Sequence, residues 1–154
     1  MPGSSASSLP ESSLAGLVEA LGGASAGIVT TDPDVLASYA RDQAPLAPAG
    51  TAAALVRART VDHVVATLRF ANLRCIPVVT RGAGTGLAGG ANAVDGCILL
   101  SLSHLDRILS VDDVARLAVV EPGVLNASLA KEATARGLYY APDPASRDIS
   151  TIGG

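Results

Sequence analysis

The chain has 154 residues, of which 49% are hydrophobic and only 16% charged, against roughly 25% charged in an average soluble domain. That length holds one domain and excludes a two-domain enzyme, and so little charge means that much of the surface is buried or turned to a partner, a ligand or further chain. Eleven Lys+Arg against fourteen Asp+Glu give a net charge of -3 with no basic run, which argues against nucleic acid and anionic membrane surfaces as partners.

The Ser- and Pro-rich residues 1–12 read as a disordered lead. They lack a basic n-region, Glu19 interrupts the apolar stretch that follows, and no apolar run approaches the roughly 18 residues of a membrane span, so the chain reads as cytoplasmic. Residues 13–46 form an N-terminal helical segment. Leu14, Leu17, Val18 and Leu21 recur at helical spacing and predict a helix from about Ser13 to Leu21, stopped by Gly22 and Gly23. A second helix starts at Asp32, which caps it, with Pro33 at the first position and Asp34 at the positive end of the dipole. The run Ala52 to Ala58 predicts a strand. Thr60 then caps a third helix whose expected inner stripe is Val61, Val64, Val65, Leu68 and Asn72/Leu73.

From Ile76 the pattern becomes short apolar runs, IPVVT, CILLSL, RILSV and RLAVVE, which predict a sheet. A last helix is expected from about Asn126 to Arg136, with Leu125, Leu129 and Ala133 on one face, a Glu132/Arg136 pair at i, i+4 and Gly137 as terminator. The remaining stretch, YYAPDPASRDISTIGG, has no helix or strand period. It stops at Gly153-Gly154 without a cap, which reads as a fragment. Cys75 and Cys97 lie beside apolar runs without CxxC spacing and read as buried thiols of a reducing compartment, a disulfide or metal pair being the alternative. His63 and His104 have neither metal-ligand spacing nor a nucleophile nearby, and read as solvated or structurally bonded.

The densest signal is Arg81-Gly82-Ala83-Gly84-Thr85-Gly86-Leu87-Ala88-Gly89-Gly90, directly after the strand IPVVT. Glycine lets backbone adopt positive φ and approach a ligand closely, and successive amides in such a loop form a nest for phosphate oxygens, with Arg81 adding charge or fixing the loop. A tight turn without a ligand is the alternative. Gly84 to Gly89 spells GxGxxG, and Asp106 lies 20 residues past Gly86, yet a Rossmann site needs that motif to open a crossover helix. The short stretch between Gly89 and Gly96 has no helical stripe. A Walker loop fails too, because Gly90 stands where lysine is required.

The blocks PVVTRGAGTGLAGG, ILLSLSHLDRIL, VVEPGV, GLYYAPDP and STIGG, in that order, resemble the FAD-binding domain of the vanillyl-alcohol-oxidase-like flavoproteins, above all the FAD-linked subunit of glycolate oxidase and the D-lactate and D-2-hydroxyacid dehydrogenases. The resemblance covers about Tyr39 to Gly154. It implies an α+β, PCMH-type FAD-binding fold across residues 47–154, comprising the first α/β subdomain and the start of the second, incomplete at the C-terminus.

The same resemblance implies that Arg81, Gly82, Ala83, Gly84, Thr85, Gly86, Leu87 and Gly90 wrap the FAD pyrophosphate. Pro142, Asp143, Ser146, Ser150, Thr151, Gly153 and Gly154 would run beside the isoalloxazine and ribityl chain; by composition alone the PDP segment reads equally as a surface turn. Thr85 stands where relatives that attach FAD covalently carry histidine, which implies non-covalent FAD. Glu121-Pro122-Gly123 reads as a strand end and turn, with cofactor contact the lesser reading. The implied activity is oxidation of a 2-hydroxy acid, a hydride passing to the flavin and the electrons on to an acceptor, with partner subunits possible. The base and the carboxylate-binding arginines would lie beyond Gly154, so no catalytic residue is named, and the isolated chain is expected to be inactive. A non-catalytic flavin- or nucleotide-binding module is the alternative, and a Rossmann dehydrogenase a weaker third.

Overall fold

The computed structural model describes residues 11–23 and 27–153. Residues 1–10, most of the expected lead, and Gly154 lie outside the described residues. In chain order the elements are α1 (Glu11–Ala20), β1 (Val29–Thr30), α2 (Pro33–Tyr39), β2 (Ala54–Arg57), α3 (Val61–Leu73), β3 (Val78–Arg81), β4 (Ile98–Ser101), β5 (Ile108–Asp112), β6 (Leu117–Val120) and α4 (Asn126–Ala135).

The local chemistry places most of these elements where the sequence predicts them. Asp32 caps α2 through the amides of Asp34 and Val35, at 2.9 and 3.2 Å. Thr60 caps α3 through His63 N at 3.2 Å. Gly22 and Gly23, at φ 85° and 87°, end α1. β1 goes unseen in the sequence because two residues are too few to show a period.

Four strands form one sheet in the order β1-β2-β4-β3, with β2, β4 and β3 mutually parallel and β1 antiparallel on the edge. Its core is two-sided. Ala54, Val56, Ile98 and Leu100 face α1 and α3, while Leu55, Cys97 and Leu99 face α2. A parallel sheet covered on both faces reads as continuous apolar runs, as ALV and ILL do here. β5 and β6 form a separate antiparallel hairpin with a register shift between Ile108 and Ser110.

Three expectations are corrected. The buried face of α3 is Thr67, Phe70 and Ala71, with Val64 packed beside them. Val61, Val65, Leu68 and Leu73 instead point to solvent. The helix buries the face carrying Phe70 and Ala71, which packs with Leu17 and Leu21 of the α1 segment and with Ile98 and Leu100 of β4. Cys75 is exposed, not buried; Cys97 is buried, and burial pushes its thiol pKa up. The runs after Ile76 split between two sheets rather than building one.

Cys75 also carries a backbone cost. α3 ends in a Schellman motif, with Ile76 N donating to Ala71 O at 3.0 Å and Cys75 N to Asn72 O at 3.3 Å. This places Cys75 at the left-handed position with φ 53°. α4 ends in the same motif with Gly137 there, at φ 71°. Cys75→Gly is therefore expected to stabilise the fold by about 0.5–1 kcal/mol, read as a rise in urea midpoint at unchanged m-value.

Candidate functional site

β3 ends at Arg81, and the chain then runs through residues 82–97 to the adjacent parallel strand β4 with no helix on the way. Parallel neighbours usually need a helical crossover; here an irregular glycine-rich strap makes the connection at the carboxyl end of β3. Open α/β sheets bind ligands at that edge.

The strap is tied to the segment after α2. Gln43 N donates to Gly86 O at 2.9 Å and Ala93 N to Ala40 O at 2.9 Å. Asn92 is buried; its Oδ1 accepts from Asp42 N at 2.8 Å and its Nδ2 donates to Pro48 O at 3.0 Å. Asn92, Asp42 and Gln43 thus shape the site although sequence alone does not single them out. The available signal is one polar residue between small ones, ANA, too common to distinguish.

Within the strap Gly84 has φ 72° and Gly89 φ 77°. The amides of Gly84, Thr85, Gly86, Leu87, Ala88, Gly89 and Gly90 donate to no acceptor among the described residues. Gly82 and Gly84 are buried, Thr85 half-buried, and Ala83, Gly86, Leu87 and Gly90 exposed. A run of free amides with positive-φ glycines is the donor set of a phosphate nest.

Arg81 lies within the structure, 8% exposed. Its guanidinium donates to Tyr39 O and, at 3.3 Å, to Arg41 O, and it stands 5.1 Å from the centre of the Tyr39 ring. Burial lowers its pKa from the usual value, opposed by the charges of Tyr39 and Asp42.

Of the second predicted segment, Thr151 reaches the strap. Its buried Oγ1 accepts from Ala83 N at 3.2 Å, joining residues 68 apart in sequence. The same strip caps α4, whose N-cap Leu125 has no side-chain hydrogen bond. Asn126 N donates to Ser150 O at 3.0 Å and Ala127 N to Arg147 O at 3.1 Å. Ser146 O accepts from Ser150 N at 2.7 Å, and Gly153 N donates to Pro122 O at 2.8 Å. Pro142 and Asp143 are exposed, Asp143 facing Arg147 at 3.7 Å, and no hydrogen bond among the described residues joins them to the strap.

Four buried polar atoms among the described residues lack a partner: Asp42 Oδ2, Arg81 Nε, Asn126 Oδ1 and Ser150 Oγ. Two belong to the strap and its support, Ser150 Oγ belongs to the strip that Thr151 joins to it, and Asn126 Oδ1 to the first turn of α4. These orphaned groups and the free amides fit a polar, phosphate-bearing cofactor. Glu121 is not among them. Its buried carboxylate takes Arg107 Nη2 at 2.7 Å, Nε at 3.1 Å and N at 2.8 Å, and these hydrogen bonds hold it below its usual pKa. That is the structural role.

A run of free amides on a helix-free crossover, hydrogen-bonded to a strip from later in the chain, lies outside the Rossmann class, and its donor set suits a nucleotide phosphate. The chain belongs to the FAD binding domain family, which it matches over residues 52–154; its cofactor is FAD. It is 41% identical over 100 residues to the glycolate oxidase subunit GlcD of Escherichia coli (strain K12), covering 65% of this chain and 20% of that protein. It is 38% identical over 129 residues to the D-2-hydroxyglutarate dehydrogenase of Stutzerimonas stutzeri (strain A1501), covering 83% of this chain and 27% of that one.

The fold matches 4-ethylphenol oxidase from Gulosibacter chungangensis with a TM-score of 0.77 at 26% identity, over 94% of this chain and 28% of that one. It also matches p-cresol methylhydroxylase with a TM-score of 0.75 at 24% identity, over 91% of this chain and 27% of that one. The α+β, PCMH-type assignment therefore holds. The chain spans about a fifth of the length of the curated relatives it matches first. Among the described residues no helix is long and apolar enough to cross a membrane.

Proposed function

We propose that this chain is the FAD-holding part of a flavoprotein that oxidises a 2-hydroxy acid of the glycolate or D-lactate type, in the cytoplasm, passing electrons to a separate acceptor and working with partner subunits. FAD, when bound, supplies the two-electron acceptor for that oxidation. The residues assigned to it are Arg81 to Leu87 and Gly90 around the pyrophosphate, with Pro142, Asp143, Ser146, Ser150, Thr151, Gly153 and Gly154 along the flavin. The free amides from Gly84 to Gly90 would hold the phosphates, and the Thr151 to Ala83 bond would keep strap and strip at one spacing. The observation that carries the reading is that bond, which ties the strap to Thr151 of the later strip. The substrate class is supported by the names of the relatives, glycolate oxidase, D-2-hydroxyglutarate dehydrogenase and D-lactate dehydrogenase. Residues 47–154 form the FAD-binding unit of this proposal and residues 13–46 its helical lead-in.

The flavin is held without a covalent link, since Thr85 offers no imidazole and neither cysteine lies between Arg81 and Gly90. Acid precipitation of the holoprotein is expected to release the yellow colour entirely into the supernatant; colour left in the pellet would contradict this. Reduction of a dye by the full-length gene product with glycolate or D-lactate tests the substrate class. Bound flavin without turnover of any 2-hydroxy acid would favour the non-catalytic module.

A further inference from the structure

Arginine beside a phosphate loop is ordinarily read as a charge for the phosphate. Here the guanidinium is buried and turns back beneath the strap, where Nη1 donates to the carbonyls of both Tyr39 and Arg41 and Nε is buried without a partner. A Cβ built on Gly84 would collide with Arg81 Nη2 and lie 2.9 Å from Cζ, so Gly84 rests directly on the guanidinium. Asp42, one residue past the second of those carbonyls, puts its unpartnered Oδ2 3.5 Å from the Cβ position of Gly86. Three separate stretches, 39–42, Arg81 and 84–86, therefore meet at one planar group.

We infer that Arg81 is a positioning residue. It braces the glycine strap against the segment after α2 and so fixes the directions of the amides from Gly84 onward, without itself contacting phosphate. This rests on the reading of the strap as a pyrophosphate site, but its central test does not require FAD. Lysine has one compact ammonium in place of a planar fork, and cannot both bridge two carbonyls and support Gly84.

The experiment compares the full-length protein with Arg81→Lys and Arg81→Met by amide hydrogen exchange of the FAD-free form and by FAD titration at several salt concentrations. The hydrogen-bonded amides that tie the strap down, those of Asp42, Gln43, Ala83 and Ala93, are expected to exchange faster in both variants, while β2 and β4 keep their protection. FAD affinity should fall about tenfold or more in both, because more than one charge-assisted hydrogen bond is lost. The salt dependence of FAD binding should match the parent protein, since no ion pair with the ligand is removed.

Unchanged exchange in the strap of the FAD-free Met variant would overturn the inference, as would recovery of affinity by lysine or a shallower salt dependence in the Met variant. If the Met variant loses protection throughout, the lysine variant decides the matter. A parent protein that binds no FAD would sink the proposed function while leaving the exchange result to judge the brace.

Discussion

Gly84→Val is expected to yield protein that folds but purifies without flavin, with FAD affinity reduced on the order of a hundredfold or more. Two costs combine. Gly84 has φ 72°, where a β-branched residue is strained by roughly 1–3 kcal/mol. The added Cβ would also collide with the Arg81 guanidinium, which lies buried under the strap and is held there by two carbonyls. Either the arginine leaves its partners or the strap lifts, and both re-aim the free amides. Val114→Ala is the control, because Val114 is 95% exposed in the turn between β5 and β6 and flavin content should stay full. Absorbance of the purified variants at the flavin bands reads the result, and a Gly84→Val protein carrying a full complement of flavin would show that the strap is not the phosphate site.

The second large effect falls outside the cradle. A Cβ on Gly123 would stand 2.6, 2.7 and 2.8 Å from the carbonyl oxygens of Leu102, Leu105 and Ser103. All three are backbone atoms, so no side chain can swing aside. Gly123 N donates to Leu105 O at 2.7 Å, fastening the end of the hairpin β5–β6 to the turn that leaves β4. Gly123→Ala is expected to destabilise the fold by about 3 kcal/mol or more, a drop in Tm of about 6–12 °C for a chain of this size. Thermal unfolding checks it. A melting temperature within about 2 °C of the parent would mean that the two sheets are not joined rigidly here.

Much of this was legible because it is local. Asp32-Pro33-Asp34 and Thr60 announce helix starts through the amides they cap, and Gly22-Gly23 and Gly137 announce ends through positive φ. The glycine strap was legible as an irregular connection after a strand, and the missing crossover helix was legible as an absence of helical period before Gly96. The inward turn of Arg81 was not, because a side chain's direction depends on which carbonyls the fold brings beneath it, and Tyr39 and Arg41 come from forty residues earlier. Nor was the buried face of α3. Val61, Val65 and Leu68 make a more apolar stripe than Val64, Thr67 and Ala71, and the face buried is the one that meets the sheet and α1 in the tertiary fold. Cys75 misled because a residue beside an apolar run can still be a helix terminator pointing outward.

The bond from Ala83 to Thr151 also sets a schedule. Ala83 is translated 68 residues before Thr151, and at roughly 5–20 residues per second that interval is about 3 to 14 s on the ribosome. β4 follows Ala83 by fewer than twenty residues, so for most of that interval the strands β2, β3 and β4 have been synthesised while the strap has no strip to close against. The cradle therefore matures last, and a nascent chain stalled before Thr151 would carry a folded sheet with an open, flavin-incompetent edge.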